Sequence, residues 1–315
     1  MIKKNLFILT KILFLSLVFF ASGVQCQNAY KTFHFQNFER EYLLHLPLDY
    51  DSLDNVPVLF FLHGLGGNIV EFDKELNLQK FSDEHRWIVV VPQALEAKEK
   101  FLWQTFDLGS MWNAGMEVSV LGVKIKHNKH IDDVGFLMSL LDSLSSEYKI
   151  DTDSIFFAGF SMGGFMCHRL AIECSDRINA CAVISGLIAK TLAKQSPKGK
   201  LNLLQIHGTE DKIVSSLGKT SMIRPLRNLR IGISLDKTMN YWKQNLDCEN
   251  EEKVDTLLDR KNDGLRFVKH SARNKTDNTK LQFLEVIGGE HKIYLDNNLY
   301  DIDYLDEIYH FFHGE

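Results

Sequence analysis

Apolar residues occur along this chain mainly as short continuous runs, separated by segments in which they recur every three or four positions. A run that is apolar on both faces is typical of a central strand in a parallel sheet, because helices cover both faces of such a sheet. Six runs of this kind are spread over residues 56–289. They read VPVLFFLHG, WIVVVPQA, SIFFAGFS, ACAVISG, LNLLQIHG and LQFLEVIGG.

Four other segments have the apolar spacing of amphipathic helices. They read DDVGFLMSLLDSLSSEY, MGGFMCHRLAIEC, SLDKTMNYWKQNL and DIDYLDEIYHFF. Ahead of the first run, KTFHFQ and REYLLHLP alternate apolar and polar residues, which predicts a hairpin of edge strands. Because strand and helix patterns alternate through the middle of the chain, we predict an α/β fold with a mostly parallel central sheet and helices on both faces.

Two stretches show neither period, at about residues 94–130 and 214–233. We expect both to be irregular and to form walls or lids of a site, as long irregular segments often do. No repeat, low-complexity tract or linker divides the sequence. We therefore expect a single domain from residue 27 to residue 315.

Residues 1–26 have the pattern of a signal peptide. Basic Lys3 and Lys4 come first, then the apolar stretch ILFLSLVFFA, then the small residues of SGV. The apolar stretch is short for a membrane span, which needs about 20 residues. We expect cleavage and export to the periplasm or the extracellular space, with no membrane span left. An uncleaved anchor and lipoprotein attachment through Cys26 are the alternatives.

Composition argues against a nucleic-acid partner but does not decide the disulfide state of the cysteines. The chain is 45% hydrophobic and 24% charged, as in ordinary globular proteins. A net charge of −5 and the lack of a basic run beyond the N-terminus predict no nucleic-acid partner. Four cysteines follow Cys26, without C-x-x-C spacing. In an oxidising compartment they could form two disulfides in any of three connectivities, but we favour buried free thiols with one disulfide. They are Cys167, Cys174, Cys181 and Cys248.

The strongest chemical signal is GFSMG at residues 159–163, which fits the G-x-S-x-G pattern of a nucleophile elbow. In that turn the serine has strained backbone dihedrals, and strand and helix crowd so closely that the residues two before and two after it must be very small. The motif alone also occurs in glycine-rich loops. Here an apolar run precedes it and a helical segment follows, so we predict Ser161 as a nucleophile.

A serine hydroxyl needs a general base, and an elbow predicts the chain order Ser, then Asp or Glu, then His. His291 follows the last apolar run just past two glycines, at the carboxyl edge of the predicted sheet where Ser161 also lies, and we predict it as the base. Asp211, directly after the run LNLLQIHG, is predicted to orient the imidazole. Adjacent Glu210 is the alternative, because spacing alone does not separate two neighbouring carboxylates.

Ester or amide hydrolysis by a serine also needs two N–H donors for the tetrahedral oxyanion. Met162, the residue after the nucleophile, is predicted to supply one. The segment HGLGG at residues 63–67 follows the first central run, and Leu65 is predicted to supply the other. Its glycines allow close approach of the loop to a substrate, although a plain glycine turn would have the same sequence.

These segments together resemble the secreted polyhydroxybutyrate depolymerase/feruloyl esterase family of the α/β-hydrolase fold. The resemblance covers nearly the whole chain after residue 26. It rests on several motifs in order, namely EREYLLHLP, LFFLHGLGG, MWNAG, IDDVGFLMSLLDSL, DTDSIFFAGFSMGG, HGTEDKIV and GGEH.

The resemblance implies hydrolysis of carboxylic esters through an acyl-enzyme, with no cofactor and no metal. It favours feruloyl or acetyl esters on plant polysaccharide fragments as substrates, with short-chain polyhydroxyalkanoate (polyhydroxybutyrate) depolymerase as the alternative. It also offers Trp112 and Asn113 as candidate pocket residues, although Trp112 could equally be a buried structural residue. Where the family often has Trp, two residues past the base, this chain has Ile293, followed by Tyr294 as a candidate substrate contact.

Two further functions fit parts of the pattern. A serine peptidase of the prolyl-oligopeptidase type shares the fold and the triad order. Such peptidases usually carry a large extra domain, for which this chain has no room. A non-catalytic binding protein on a hydrolase scaffold usually lacks a triad residue, and here all three positions are filled. We therefore expect a small-molecule, oligosaccharide or polyester ester as the binding partner.

Overall fold

The structure is a computed structural model that describes residues 28–314, with gaps at 102–103, 121–122, 127–129, 221–228 and 249–251. The signal peptide predicted for residues 1–26 and the possible lipid attachment at Cys26 lie outside the described residues.

The described residues form sixteen strands and six α-helices. The strands are β1 Asn28–Phe35, β2 Phe38–His45, β3 Val56–Leu62, β4 Ile88–Pro92, β5 Glu96–Phe101, β6 Gln104–Ser110, β7 Glu117–Val120, β8 Val123–Lys126, β9 Ile150–Phe160, β10 Ala180–Ile184, β11 Asn202–Gly208, β12 Lys219–Thr220, β13 Leu229–Arg230, β14 Glu252–Thr256, β15 Arg266–Arg273 and β16 Lys280–Ile287. The helices are α1 Ile69–Leu76, α2 Leu78–His85, α3 Asp133–Glu147, α4 Met162–Glu173, α5 Leu235–Asn245 and α6 Tyr304–His313.

Ten of the strands form one sheet, in the order β1-β2-β4-β3-β9-β10-β11-β16-β15-β14. The six strands from β4 to β16 in that order run parallel to one another. Antiparallel strands extend the sheet at both edges, and β1–β2 is the predicted N-terminal hairpin. All six apolar runs contain central strands, so the prediction of a mostly parallel central sheet is confirmed.

Helices cover both faces of the sheet, as predicted. Along β3, Phe60 belongs to one buried core cluster, whereas Leu59 and Phe61 belong to the other. This alternation follows from the two-residue period of a strand. The first cluster includes residues of α3, α4 and α5, and the second includes residues of α1, α2 and α6.

The sequence prediction missed α1 and α2. Ile69, Phe72 and Leu76 are the buried positions of α1, and Asn68 caps its first turn by accepting from two backbone N–H groups. Asn77 then adopts a left-handed conformation, with φ of 53°, and separates α1 from α2. The break divides the apolar spacing between two eight-residue helices, each too short to give a clear period.

The expectation of irregular chain at 94–130 is wrong. The stretch contains two antiparallel hairpins, β5–β6 and β7–β8. Among its described residues, the stretch at 214–233 contains the two-residue pairing of β12 with β13 and an isolated antiparallel bridge from Gly232 to Ala189.

The cysteines of the described chain are free thiols. Cys167, Cys174, Cys181 and Cys248 are all buried and unpaired by disulfides. Burial raises the pKa of the Cys167 and Cys181 thiols well above the ordinary value, so both stay protonated. Across the described ranges, no helix has both the length and the apolar character required to cross a membrane.

Candidate active site

Ser161 lies at the sharp turn between β9 and α4. Its φ of 56° and ψ of −114° are strained for a residue with a side chain, and its N–H donates to Ile184 O at 2.8 Å. A Cβ atom at Gly163 would overlap the carbonyl oxygen of Leu62, and one at Gly159 would overlap the backbone of Gly163. The local packing of strand against helix thus explains both glycines of the motif.

The structure brings Ser161, His291 and Asp211 into one hydrogen-bonded line. Ser161 Oγ lies 2.9 Å from His291 Nε2, and His291 Nδ1 lies 2.7 Å from Asp211 Oδ2. Since a carboxylate accepts hydrogen bonds, Nδ1 carries the proton and Nε2 is left to accept from the hydroxyl. The three residues follow the strands β9, β11 and β16, whose carboxyl ends lie at the same edge of the sheet.

Backbone donors hold the Asp211 carboxylate. Its Oδ1 accepts from the N–H groups of Ile213 at 2.9 Å and Val214 at 2.7 Å, which leaves Oδ2 for His291. Burial raises the pKa of Asp211, but the hydrogen bond and charge of His291 and the Val214 N–H outweigh it and hold the pKa below its usual value. The alternative acid, Glu210, is exposed, and its own N–H donates to Gly289 O.

A second histidine, His207, lies beside the same carboxylate and was not predicted from sequence. The ring is buried, and its Nε2 donates to Val214 O at 2.9 Å while lying 3.8 Å from Asp211 Oδ2. Burial lowers the pKa of His207, so the ring is neutral. The hydrogen bond fixes the Val214 end of the loop whose N–H groups hold Asp211.

Phe160 is another site residue that sequence reasoning missed. Its ring centroid lies 4.8 Å from that of His291. The contact covers one face of the imidazole and restricts its rotation. Phe160 occupies the variable position before the serine in GFSMG, so the only available signal was its adjacency to Ser161.

The two residues predicted to supply N–H groups for an oxyanion follow β9 and β3, which are neighbouring strands of the sheet. Met162 is the first residue of α4, so its N–H has no acceptor within the helix. Leu65 lies on the loop after β3, which lines the cleft beside His291. His63 anchors this loop, because its Nδ1 donates to Gly64 O at 2.7 Å and its Nε2 accepts from Ala94 N at 3.1 Å. Burial lowers the pKa of His63 to about 4, which keeps the ring neutral.

The structure places Trp112, Asn113 and Tyr294 in supporting positions rather than on the cleft wall. Trp112 is fully buried, and its indole N–H donates to His63 O at 3.0 Å. The side-chain amide of Asn113 donates to Ile131 O at 2.6 Å. Tyr294 is buried, and its hydroxyl accepts from Glu290 N at 2.8 Å. All three expected pocket residues thus form hydrogen bonds with backbone groups. Trp112 matches the alternative expectation of a buried structural residue.

A cleft of about 300 Å³ opens beside the catalytic candidates. The loop after β3, helix α1 and the loop that carries His291 form its walls. Its lining residues outside the sequence-predicted set are His63, Gly64, Gly67, Asn68, Glu71, Phe72, Glu75, Phe160, Lys292 and Ile293. Within the described ranges, no group of three or more His, Cys, Asp or Glu side chains is arranged to hold a metal ion.

Known proteins with a similar sequence include several named as feruloyl esterases. The chain is 26% identical over 190 residues to feruloyl esterase D of Neurospora crassa, across 60% of this chain and 59% of that protein. The chain spans about half the length of the first curated relatives that it matches.

Two solved structures share the fold. One is the acetyl xylan esterase from Aspergillus awamori, with a TM-score of 0.56, 12% identity, and coverage of 91% of this chain and 100% of that chain. The other is the feruloyl esterase module from Clostridium thermocellum complexed with sinapinate, with a TM-score of 0.51, 14% identity, and coverage of 84% and 81%.

The family model described as phospholipase/carboxylesterase matches residues 51–240, which is more than half of the 315-residue chain. The match begins before β3 and runs through the elbow and the Asp211 loop to α5. The chain therefore belongs to the phospholipase/carboxylesterase family and has the α/β-hydrolase fold.

Proposed function

We propose that this protein is a serine esterase that hydrolyses carboxylic esters through Ser161, His291 and Asp211. The observation that carries the proposal is the hydrogen-bonded line of 2.9 Å and 2.7 Å that joins these side chains at a strained turn. Family membership and the names of the relatives support the same chemistry. The signal-peptide pattern of residues 1–26 supports a secreted location.

Acylation would begin with attack of Ser161 Oγ on the ester carbonyl carbon. His291 Nε2 accepts the hydroxyl proton as the C–O bond forms, and Asp211 stabilises the resulting imidazolium through Nδ1–H. The carbonyl oxygen becomes an oxyanion that accepts from the N–H groups of Leu65 and Met162. Collapse of this intermediate breaks the ester C–O bond, and His291 Nε2–H delivers its proton to the leaving alcohol.

Deacylation would repeat these steps with water. His291 removes a proton from the water as its oxygen attacks the acyl carbon, and the same two N–H groups hold the second oxyanion. Release of Ser161 Oγ takes the proton back from His291 and frees the carboxylic acid. The cycle needs no electron acceptor or cofactor.

The names of the relatives favour feruloyl or acetyl esters on plant polysaccharide fragments as substrates. One relative is a feruloyl esterase, and one structural neighbour is an acetyl xylan esterase. The cleft of about 300 Å³ contains the apolar side chains of Phe72 and Phe160 and the charged side chains of Glu71, Glu75 and Lys292. An acyl group with an aromatic ring and an alcohol with hydroxyl groups suits this mixture.

The test is a substrate panel of methyl ferulate, acetylated xylan and hydroxybutyrate oligomers, assayed with the wild type and with Ser161→Ala. We expect turnover of the first or the second substrate, and its loss by at least about a thousandfold in the variant. Ser146→Ala is the matched control, because Ser146 is an exposed residue of α3 that only donates to Ser143 O.

Three outcomes separate the alternatives. Turnover of hydroxybutyrate oligomers alone would replace the polysaccharide assignment with the polyester one. Cleavage of aminoacyl anilides in preference to aryl esters would indicate a peptidase. Undiminished ester hydrolysis by Ser161→Ala would overturn the mechanism.

A further inference from the structure

Gln93 directly follows β4. Its side-chain amide forms hydrogen bonds with the loop at residues 63–67, here called the oxyanion loop. Its Nε2 donates to Gly67 O at 2.9 Å and lies 3.1 Å from His63 Nε2. Its Oε1 accepts from Ile69 N at 3.0 Å. One amide therefore contacts both ends of the His63–Gly67 segment and the first residue of α1.

These contacts allow only one orientation of the amide. A flipped Gln93 would place its NH₂ group against the N–H of Ile69 and its oxygen against the carbonyl of Gly67. His63 imposes the same choice, because its Nδ1–H donates to Gly64 O and its Nε2 is therefore an acceptor. The Ala94 N–H also donates to that Nε2 at 3.1 Å. The neutral His63 ring and the Gln93 amide are therefore compatible only when Gln93 Nε2 donates to His63 Nε2.

Leu65 lies between the two points that Gln93 holds. Other contacts support the same loop from outside, because Gly66 N donates to Ser110 O at 2.8 Å and Ser110 Oγ donates to Gly67 O at 2.6 Å. Gln93 alone among these partners contacts the loop at both ends, within the described part of the chain. Gln93 thus links His63 to Gly67, and Leu65 lies between these two residues in the chain.

We propose that Gln93 is a positioning residue that holds the Leu65 N–H at the place where the oxyanion develops. The inference rests on the proposed function, because it assigns Leu65 as an oxyanion donor. Gln93 touches no reacting atom. Its effect passes through His63 and Gly67, so loss of its amide should displace a transition-state contact and leave ground-state binding of the ester nearly unchanged.

Gln93→Met tests this, since it keeps the side-chain length and removes both polar groups. Removal of an oxyanion donor in a serine hydrolase costs about a hundredfold to a thousandfold in kcat. Displacement of the donor should cost less, and we expect kcat for an aryl ester to fall about tenfold or more, with KM changed by less than about twofold.

A thionoester of the same acyl group separates positioning from general structural damage. Sulfur accepts hydrogen bonds more weakly than oxygen, so the oxyanion donors contribute less to its hydrolysis. If Gln93 positions Leu65, the variant should lose less rate on the thionoester than on the oxoester. A purely structural role would lower both rates in the same proportion.

Gln79→Met is the matched control. Gln79 is also a partly buried glutamine that contacts a histidine, His45 Nδ1, at 3.2 Å, and donates to a carbonyl, Leu46 O, at 3.2 Å. It lies on α2 and does not line the cleft. We expect its kcat and its oxoester-to-thionoester ratio to match those of the wild type.

Labelling with a fluorophosphonate shows which claim fails. Equal labelling at the end point in all three proteins shows that the serine site is folded, and a slower labelling rate in Gln93→Met alone supports the inference. An unchanged oxoester-to-thionoester ratio in that variant, whether or not kcat falls, would overturn the inference and leave the esterase proposal standing. A wild type that neither labels nor hydrolyses esters would overturn the esterase proposal, and the role of Gln93 with it.

Discussion

Asp133 has a different partner for each of its two carboxylate oxygens. Oδ1 accepts from Arg40 at 2.7 Å, and Oδ2 accepts from the N–H of Asn113 at 2.6 Å. The Arg40 guanidinium also lies over the ring of Phe136, 3.8 Å from its centroid. Burial lowers the pKa of Arg40, and the Asp133 charge opposes that shift. The pair joins β2 to α3 and fixes the segment that carries Trp112.

Arg40→Met tests how much the Arg40–Asp133 ion pair contributes to the free energy of unfolding. The substitution leaves the Asp133 carboxylate buried without its counter-ion, and we expect the free energy of unfolding to fall by about 3–5 kcal/mol. Urea titration followed by tryptophan fluorescence measures it. Arg86→Met is the control, because Arg86 pairs with Asp49 at 2.6 Å with its side chain 65% exposed, and such pairs contribute about 1 kcal/mol or less. Equal losses in the two variants would contradict this account.

Residue roles were predictable from sequence where they depend on neighbouring positions. The spacing in GFSMG and the order of the later motifs gave Ser161, Asp211 and His291 as candidates, and the structure brings these three side chains together. Gln93 and His207 depend on contacts that folding creates. Gln93 meets Gly67 across 26 positions of the chain, and no local pattern marks such a pair.

The turn at Ser161 and the end of β3 leave little room for an added side-chain atom. At Gly163 an added Cβ would meet backbone oxygens of Leu62 and His63, which belong to the end of β3 and the loop after it. Neither can move without disturbing the central sheet. The close approach of α4 to β3 therefore depends on the absence of a side chain there.

Gly163→Ala should lower the free energy of unfolding by several kcal/mol and abolish ester hydrolysis, because it forces α4 away from β3. Gly264→Ala is the control. Gly264 has φ of +85° but has no atom within 4 Å of an added Cβ, so its replacement should cost only the left-handed strain of about 1–2 kcal/mol. Thermal unfolding and aryl-ester turnover measure both effects. Full activity in Gly163→Ala would show that the turn has more room than the structure gives it.

Among the helices and strands, the sequence predicted the strands that are buried on both faces and the helices long enough to show a regular apolar spacing. The run VPVLFFLHG could only be a central strand or a buried helix, and its length and terminal glycine favoured the strand. The β5–β6 hairpin, in contrast, is rich in charged residues at its start and has no sustained alternation. Its contact with the loop after β3, where Gly66 N donates to Ser110 O, joins positions that are 44 residues apart, and no local sequence pattern marks such a contact.

In the described part of the chain, His63, His168 and His207 have buried rings. The Nδ1 of His168 accepts from the indole N–H of Trp242 at 3.2 Å, and its Nε2 faces Gln205 Oε1 at 3.1 Å. Burial lowers the pKa of His63 to about 4 and that of His168 to about 3, and it lowers the pKa of His207 as well. All three rings are neutral in the folded protein at pH 7.

The fold should therefore lose stability in mild acid. Below about pH 6.5 the unfolded chain binds protons at these histidines that the folded chain does not bind, so the free energy of unfolding falls as the pH falls. The loss continues down to about pH 4 for His63 and about pH 3 for His168. Each unit between the folded and unfolded pKa is worth about 1.4 kcal/mol, so we expect a total loss on the order of 5 kcal/mol between pH 6.5 and 4.

Urea titrations at a series of pH values measure this loss directly. The stabilising contribution of the neutral rings is fully present above pH 6.5, so little change is expected from these histidines between pH 7 and 8. A free energy of unfolding that stays constant or rises between pH 6.5 and 4 would contradict the burial of neutral histidines.

The most direct test of the central claim is to identify the residue that reacts. In the proposed mechanism, His291 and Asp211 activate one hydroxyl, that of Ser161. Incubation with a fluorophosphonate, followed by intact mass measurement and peptide sequencing, should find one adduct per chain on Ser161. The same treatment of Ser161→Ala should give none. An adduct on a different residue, or no adduct on the folded wild type, would contradict the account.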